Sequence, residues 1–267
     1  MLEYISKIKE FIQGVEPFVA FSIIFLIGMY VFWRGCTESR KNRSSVFDMF
    51  LISGFLSGIA GRVVYIILRW DEFSSFIWYW LPYEKYGDQI YLFRLLPWRF
   101  FSVWDGGLII LAMLVGLLLS LTFYTLVIKK WRWKHMFFPI YFSATTMIGS
   151  SFIYVGITSG YNGWIYKGLI LIIILGIFFF ATKFIYRIIK SLTAEKYVSG
   201  YVGVIIVWVS SVYIAYMYLT SDLSLIENVL VGIFLIWSVV MGITYLSDLR
   251  RARVKIESVS TVRSVNT

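Results

Sequence analysis

Side chains that could carry chemistry are few in this chain, and the best candidates fall in two places. Arg62 sits inside the apolar run Ile59-Ala60-Gly61-Arg62-Val63-Val64-Tyr65, and Val103-Trp104-Asp105-Gly106-Gly107 leads into another apolar run. A guanidinium within a membrane segment costs at least about 2.5 to 3.5 kcal/mol at the bilayer centre, so it turns towards a cavity, a partner or a headgroup. Arg62 therefore either snorkels to the interface or grips a lipid phosphate through two parallel N–H donors. Asp105 stands beside two glycines that let backbone turn and approach a ligand closely. It either caps the helix that follows or pairs with Arg62.

No second reactive system can be assembled. The single histidine, His135, belongs to the basic cluster Lys129-Lys130-Trp131-Arg132-Trp133-Lys134-His135 and reads as an interfacial residue. No Cys/His spacing suits a metal, and no nucleophile elbow is present. The lone Cys36 follows Trp33-Arg34 and reads as a boundary thiol, with S-acylation as the minor alternative. Asp48 and Glu227 lie near the starts of apolar runs, where a cap or a snorkelling carboxylate is expected. Tyr154, Ser150 and Ser151 cannot act as bases at neutral pH in unperturbed surroundings. Hence no catalytic residue, metal or cofactor is expected, and the only ligand in prospect is an anionic phospholipid.

The elements that position these residues follow from hydropathy. With 59% hydrophobic residues and a mean hydropathy of +0.77, the 267-residue chain carries more apolar surface than a soluble domain could bury. Crossing about 30 Å of hydrocarbon takes roughly 20 apolar residues. Seven stretches qualify: 17–33, 46–68, 108–127, 136–158, 166–185, 198–219 and 225–246. Glycines along the second and fourth (Gly54, Gly58, Gly61; Gly149, Gly156) suit close helix packing. The net charge of +10 does not point to nucleic acid, because the cations sit in short clusters between spans rather than along one soluble face.

Those clusters follow spans one, three, five and seven: Arg34, Arg40, Lys41 and Arg43; Lys129, Lys130, Arg132 and Lys134; Arg187, Lys190 and Lys196; Arg250, Arg251, Arg253 and Lys255. Because Lys and Arg are retained in the cytoplasm during insertion, the N-terminus is expected outside and the C-terminus inside. The expected fold class is thus an all-α integral membrane protein of about seven transmembrane helices, with an aromatic outer arm between spans two and three. Residues 1–16, with Ile5, Ile8, Ile12 and Val15 at helical spacing, read as an interfacial amphipathic helix. Residues 17–250 form the transmembrane domain, and 69–106 its extracytoplasmic arm. The arm is rich in Trp and Tyr, which favour headgroup level, and short helices are expected around 73–81 and 90–96. The polar tail, 251–267, is expected to be cytoplasmic and disordered.

Two stretches resemble the bacterial prolipoprotein diacylglyceryl transferases, seven-span enzymes that move diacylglycerol from phosphatidylglycerol to a lipobox cysteine. SGFLSGIAGRVVYIILRW is similar to the family's second span, ending in Gly-Arg-x-x-Tyr, here Gly61, Arg62 and Tyr65. YLFRLLPWRFFSVWDGGL is similar to its passage through Trp-Asp-Gly-Gly into span three, here Trp104, Asp105, Gly106 and Gly107. The resemblance implies a bacterial cytoplasmic-membrane location and a lipid-binding set of Arg62, Tyr65, Trp104, Asp105, Gly106 and Gly107, with Arg94 and Arg99 of the arm. It extends in detail over residues 15–120.

The departures concern catalysis. Where the family has His-Gly-Gly-Leu on span three, this chain has Leu111, Ala112, Met113 and Leu114. The Arg and Asn of the span-four signature are replaced within 148–156, and 209–214 supplies neither the Arg nor the Glu of span six. Joining a thiol to a lipid by displacing glycerol phosphate needs a group that promotes thiolate formation and cations for the leaving phosphate. The resemblance therefore implies a catalytically degenerate scaffold that binds anionic phospholipid, a lipoprotein, or both within a membrane assembly. An active divergent transferase and a small channel or transporter are the alternatives.

Overall fold

Hydrocarbon offers no partner for a backbone amide, so each apolar run closes its hydrogen bonds internally as a helix. In a computed structural model, the described residues are 2–36, 43–71, 73, 83–86, 89–92, 107–188, 192–220 and 224–265. Helix α1 covers Leu2–Gln13, α2 Pro17–Gly35, α3 Arg43–Leu68, α4 Ile110–Phe123, α5 Phe137–Ser159, α6 Asn162–Ile188, α7 Leu192–Leu219 and α8 Leu225–Val265. Six of these contain stretches long and apolar enough to cross a membrane, and the seventh, α6, is 27 residues long. The chain is an α-helical integral membrane protein of about seven spans. Its outer faces confirm the solvent: Leu51, Phe55, Ile59, Val63 and Ile67 form an exposed stripe at helical spacing along α3.

Helix α5 is the centre of the bundle. Of its apolar stretch 61% is buried, against 22% in α2 and in α3. It packs chiefly on α6 and α2, while α3 packs chiefly on α4. Small residues allow the α5–α6 approach. A Cβ on Gly168 would lie 2.5 Å from the Gly149 carbonyl oxygen and 3.0 Å from the Ile153 nitrogen, so the two backbones meet.

Hydroxyl groups tie α5, α7 and α8 together inside the apolar core. Tyr141 is 1% exposed, and its hydroxyl lies 2.7 Å from Ser210 Oγ and 2.9 Å from Ser211 Oγ. Ser211 Oγ in turn lies 2.8 Å from Ser238 Oγ. Nearby, Trp237 Nε1 donates to Thr122 Oγ1 at 2.9 Å and Trp133 Nε1 to the Met241 carbonyl at 3.0 Å. An aromatic cluster of Trp133, Phe137, Phe138, Trp237 and Tyr245 fills the surrounding space.

Three local features differ from, or sharpen, the sequence reading. In the arm, Tyr83–Tyr86 (β1) and Gln89–Leu92 (β2) pair antiparallel, Tyr83 opposite Leu92 and Tyr86 opposite Gln89, where a helix over 90–96 was expected. Two short β-favouring runs flank Gly87-Asp88 in sequence, a hairpin signal stronger than any helical period. The tail is not disordered throughout: α8 continues to Val265, because no Gly or Pro follows Gly242 to stop a helix already nucleated in the membrane. The expected amphipathic helix forms as α1, and two bonds hold its last residue and the link that follows it to the end of α5. Gln13 Nε2 donates to the Ile157 carbonyl and the Tyr154 hydroxyl to the Val15 carbonyl, each at 3.0 Å.

These contacts set two expectations for thermal unfolding in detergent. Gly168→Ala, which drives a methyl into the α5 backbone, is expected to cost about 1–3 kcal/mol. Gly176→Ala on the same helix meets nothing within 4 Å and is expected to change stability by less than about 0.5 kcal/mol. Equal effects would contradict backbone contact as the basis of the pair. Tyr141→Phe is expected to cost roughly 0.5–2 kcal/mol by removing one oxygen from the hydroxyl network.

Candidate functional site

The end of the bundle that carries the arm is organised by Arg62. This residue is 8% exposed, and its Nη1 donates to the Gly107 carbonyl at 3.2 Å. Its Cζ lies 5.3 Å from the Tyr65 ring centre and 5.7 Å from that of Phe73. Tyr65 and Phe73 meet edge to face at 6.2 Å, and Arg69 Cζ stands 5.4 Å from the Tyr65 ring. Helical spacing explains the grouping: 62, 65 and 69 share one face of α3 and its continuation. A guanidinium over aromatic faces gains cation–π attraction, most strongly where water is excluded.

Gly107 closes the group from the α4 side. Its φ is +79°, and an added Cβ would sit 2.6 Å from Arg62 Nη1 and 2.6 Å from the Tyr65 ring. Both the left-handed backbone and the close approach require glycine. The chain then runs straight into α4, with the Ile109 N–H donating to the Gly61 carbonyl at 3.3 Å. Gly61-Arg62 and Gly107-Ile109 are thus joined by two bonds although 45 residues separate Arg62 from Gly107.

Beyond this contact lies a cavity of about 60 Å³ between α2, α3, α4 and α5. Phe25, Ile110, Met113 and Met147 are among its apolar walls, and Ser57 and Ser151 are its polar lining residues. Ser57 sits five residues before Arg62 on α3, and its Oγ donates to the Met113 carbonyl. Sequence reasoning missed Phe73, Arg69 and this cavity as parts of one region. The available signal was the i, i+3, i+7 spacing of Arg62, Tyr65 and Arg69.

Of the residues expected to bind lipid, Arg62, Tyr65 and Gly107 come together. Arg94, Arg99, Trp104, Asp105 and Gly106 lie outside the described residues. Tyr154 directs its hydroxyl to Val15 and packs edge-on against Phe21 at 5.7 Å, within a small cluster with Ala20 and Ile24. His135 lies in a short 3₁₀ turn, Trp133–His135, at the opposite end of the bundle. Asp48 Oδ2 accepts from Ser44 Oγ at 3.3 Å. Glu227 Oε2 accepts from the Ser224 N–H at 3.0 Å, while the Glu227 N–H donates to Ser224 Oγ at 3.3 Å, a reciprocal cap at the start of α8. Lys167 Nζ donates to the Met217 carbonyl at 3.3 Å and lies 4.9 Å from the Trp164 ring.

Comparison of the chain with protein-family models, characterised proteins and solved structures gives no match.

A matched pair of substitutions measures the Arg62–Gly107 contact. Gly107 and Gly160 both have positive φ, but a Cβ on Gly160 meets nothing within 4 Å. Gly160→Ala is expected to lower stability by about 1 kcal/mol through backbone strain. Gly107→Ala is expected to cost at least about 1 kcal/mol more, part of which returns in the Arg62→Ala background. Additive losses in that double-mutant cycle would contradict the contact.

Proposed function

We propose that this multi-pass membrane protein is a diacylglyceryl-transferase-like scaffold of a bacterial cytoplasmic membrane. It is catalytically degenerate, with its N-terminus outside and its C-terminus inside. Its role is to bind an anionic phospholipid such as phosphatidylglycerol near Arg62, and to engage a lipoprotein or other subunits of a membrane assembly. One observation carries the reading. Gly61, Arg62, Tyr65 and Gly107 come from the two separate stretches that resemble the transferases, and they meet at one buried guanidinium.

A guanidinium withdrawn from water and faced by aromatic rings makes a local positive centre in a region of low dielectric. A phosphodiester brought to this region gains charge-assisted hydrogen bonds of the kind that a neutral headgroup cannot supply. The nearby cavity, about 60 Å³ with Ser57 and Ser151 among apolar walls, is too small for an acyl chain and is not lined by Arg62, so the lipid tails are expected along the outside of the bundle.

Proton handling argues against turnover. At the positions where the resemblance would place a histidine, α4 carries Leu111, Ala112, Met113 and Leu114; Leu111, Ala112 and Leu114 are buried. In span six, Ser210 and Ser211 close on Tyr141, so that region offers hydroxyls engaged with one another in place of a charged pair. Losing a general base or acid lowers a rate by about 10² to 10⁴, and losing several that act together removes most of the catalytic effect.

Two measurements test the reading. Purified protein is expected to transfer no labelled diacylglycerol from phosphatidylglycerol to a lipobox peptide; turnover abolished by Arg62→Ala would establish an active divergent transferase instead. In native mass spectrometry, phosphatidylglycerol is expected to outcompete phosphatidylcholine. Arg62→Ala is expected to weaken one bound phosphatidylglycerol population by about 10- to 100-fold, the worth of a hydrogen-bonded charge. Equal retention by wild type and Arg62→Ala would defeat lipid binding at this place.

A further inference from the structure

The opposite end of the bundle presents a second cationic feature that the Arg62 reading does not use. Helix α4 continues through a π-helical turn, Tyr124–Ile128, so the membrane-crossing stretch Ile110–Ile128 is 19 residues long. At 1.5 Å per residue that is about 28 Å, close to the full hydrocarbon thickness. The next span begins at Phe137, so the short link between them is held at the level of the headgroups. Trp133 anchors it: this ring is 2% exposed, donates to the Met241 carbonyl at 3.0 Å and packs on Phe137 and Trp237. With Trp133 fixed inward, Lys130 and Arg132 are exposed on either side of Trp131, and Lys134 is half-buried beside them.

The backbone of this link is strained at a cation. Lys130 has φ +51°, the positive φ of a non-glycine residue among those described. The conformation is fixed from both sides, because the Lys129 N–H donates to the Tyr124 carbonyl at 2.9 Å and the Trp131 N–H to the Thr125 carbonyl at 3.0 Å. Glycine or asparagine would relieve this position, whereas lysine keeps a charge there. Strained backbone that persists in a folded protein concentrates at functional positions.

We propose that Lys130, Arg132 and Lys134 form a binding surface for anionic phospholipid headgroups in the leaflet that this end of the bundle faces. Depth decides between lipid and a soluble acidic partner. A link that only bridges two membrane spans cannot reach past the headgroups, and its cations lie where phosphodiesters are already concentrated. The surface is independent of Arg62 and of the transferase-like reading, since the two lie at opposite ends of α4.

Each cation at the surface of an anionic leaflet adds roughly a five-fold factor in affinity. In native mass spectrometry, the full-length triple variant Lys130→Gln/Arg132→Gln/Lys134→Gln is therefore expected to lose one of two phosphatidylglycerol populations, held on the order of 100-fold less well, while keeping the population that depends on Arg62. Phosphatidylcholine of the same chain length should bind both equally. Arg62→Ala serves as the control for the other site: it should leave a phosphatidylglycerol population that the triple variant removes. A triple variant that retains phosphatidylglycerol as wild type does would overturn the proposal, as would wild type holding both lipids alike.

Polyglutamate and inorganic phosphate are added in place of lipid to separate headgroup binding from simple charge. Stabilisation of wild type by either one, equal to that by phosphatidylglycerol, would also overturn it. If the triple variant melts lower without lipid, single substitutions carry the test. Lys130→Gly is expected to melt higher than wild type yet hold phosphatidylglycerol several-fold less well, and Lys130→Arg to hold it like wild type. Unchanged retention in Lys130→Gly would show that the strained lysine serves no lipid.

Discussion

Everything in this bundle answers to the scarcity of hydrogen-bond partners in hydrocarbon. Backbone amides are satisfied by helices, but side-chain donors must find each other or a carbonyl. Most buried side-chain donors of the described spans meet that demand in two ways, whereas Trp33 Nε1, Ser45 Oγ and Ser53 Oγ are buried without a hydrogen-bond partner. Serines and threonines such as Thr122, Thr145 and Ser211 return their hydroxyls to the carbonyl one turn earlier on their own helix. Others cross between helices: Ser143 donates to the Gly28 carbonyl at 2.7 Å, joining α5 to α2, and the Tyr141 cluster joins α5 to α7 and α8. Because lipid tails are as apolar as leucine, these bonds and the close glycine contacts hold helices together where hydrophobic burial would not.

The arm end of the bundle applies the same rule to a full charge. Arg62 reaches a carbonyl freed by the non-helical backbone at Gly107 and lays its flat cation against Tyr65 and Phe73. A helical approach at 107 would have turned that carbonyl into its own ladder. The left-handed glycine thus supplies an acceptor as well as room. Sequence distance becomes irrelevant once spans two and three lie side by side, and α3 and α4 form one of the most extensive pairs in the molecule.

The spans and the embedded charge of Arg62 were legible because both rest on one-dimensional signals: run length, and a charge where none is expected. Gly107 was legible as a turn but not as the acceptor for Arg62, since that depends on how two helices rotate against each other. Phe73 was hidden among many aromatic residues of the arm, and composition alone does not say which ring meets a cation. The hairpin in the arm escaped because residues 83–92 are too few to establish a period, and their aromatic content suggested interface before it suggested strands. Polarity misled at the C-terminus, where Ser and Arg signalled disorder although a preceding span removes the nucleation cost that short polar helices face.

Helix α8 has 41 residues, about 60 Å at 1.5 Å per residue, whereas the hydrocarbon it crosses is about 30 Å thick. Its membrane-crossing stretch is Leu225–Arg251, so the remaining third, 252–265, continues past the span as a lever arm. Tilting that span by 10° swings its free tip sideways by about 4 Å, by simple geometry on the roughly 21 Å that project. Small adjustments of packing among α5, α7 and α8 are thereby magnified at the far end of the helix.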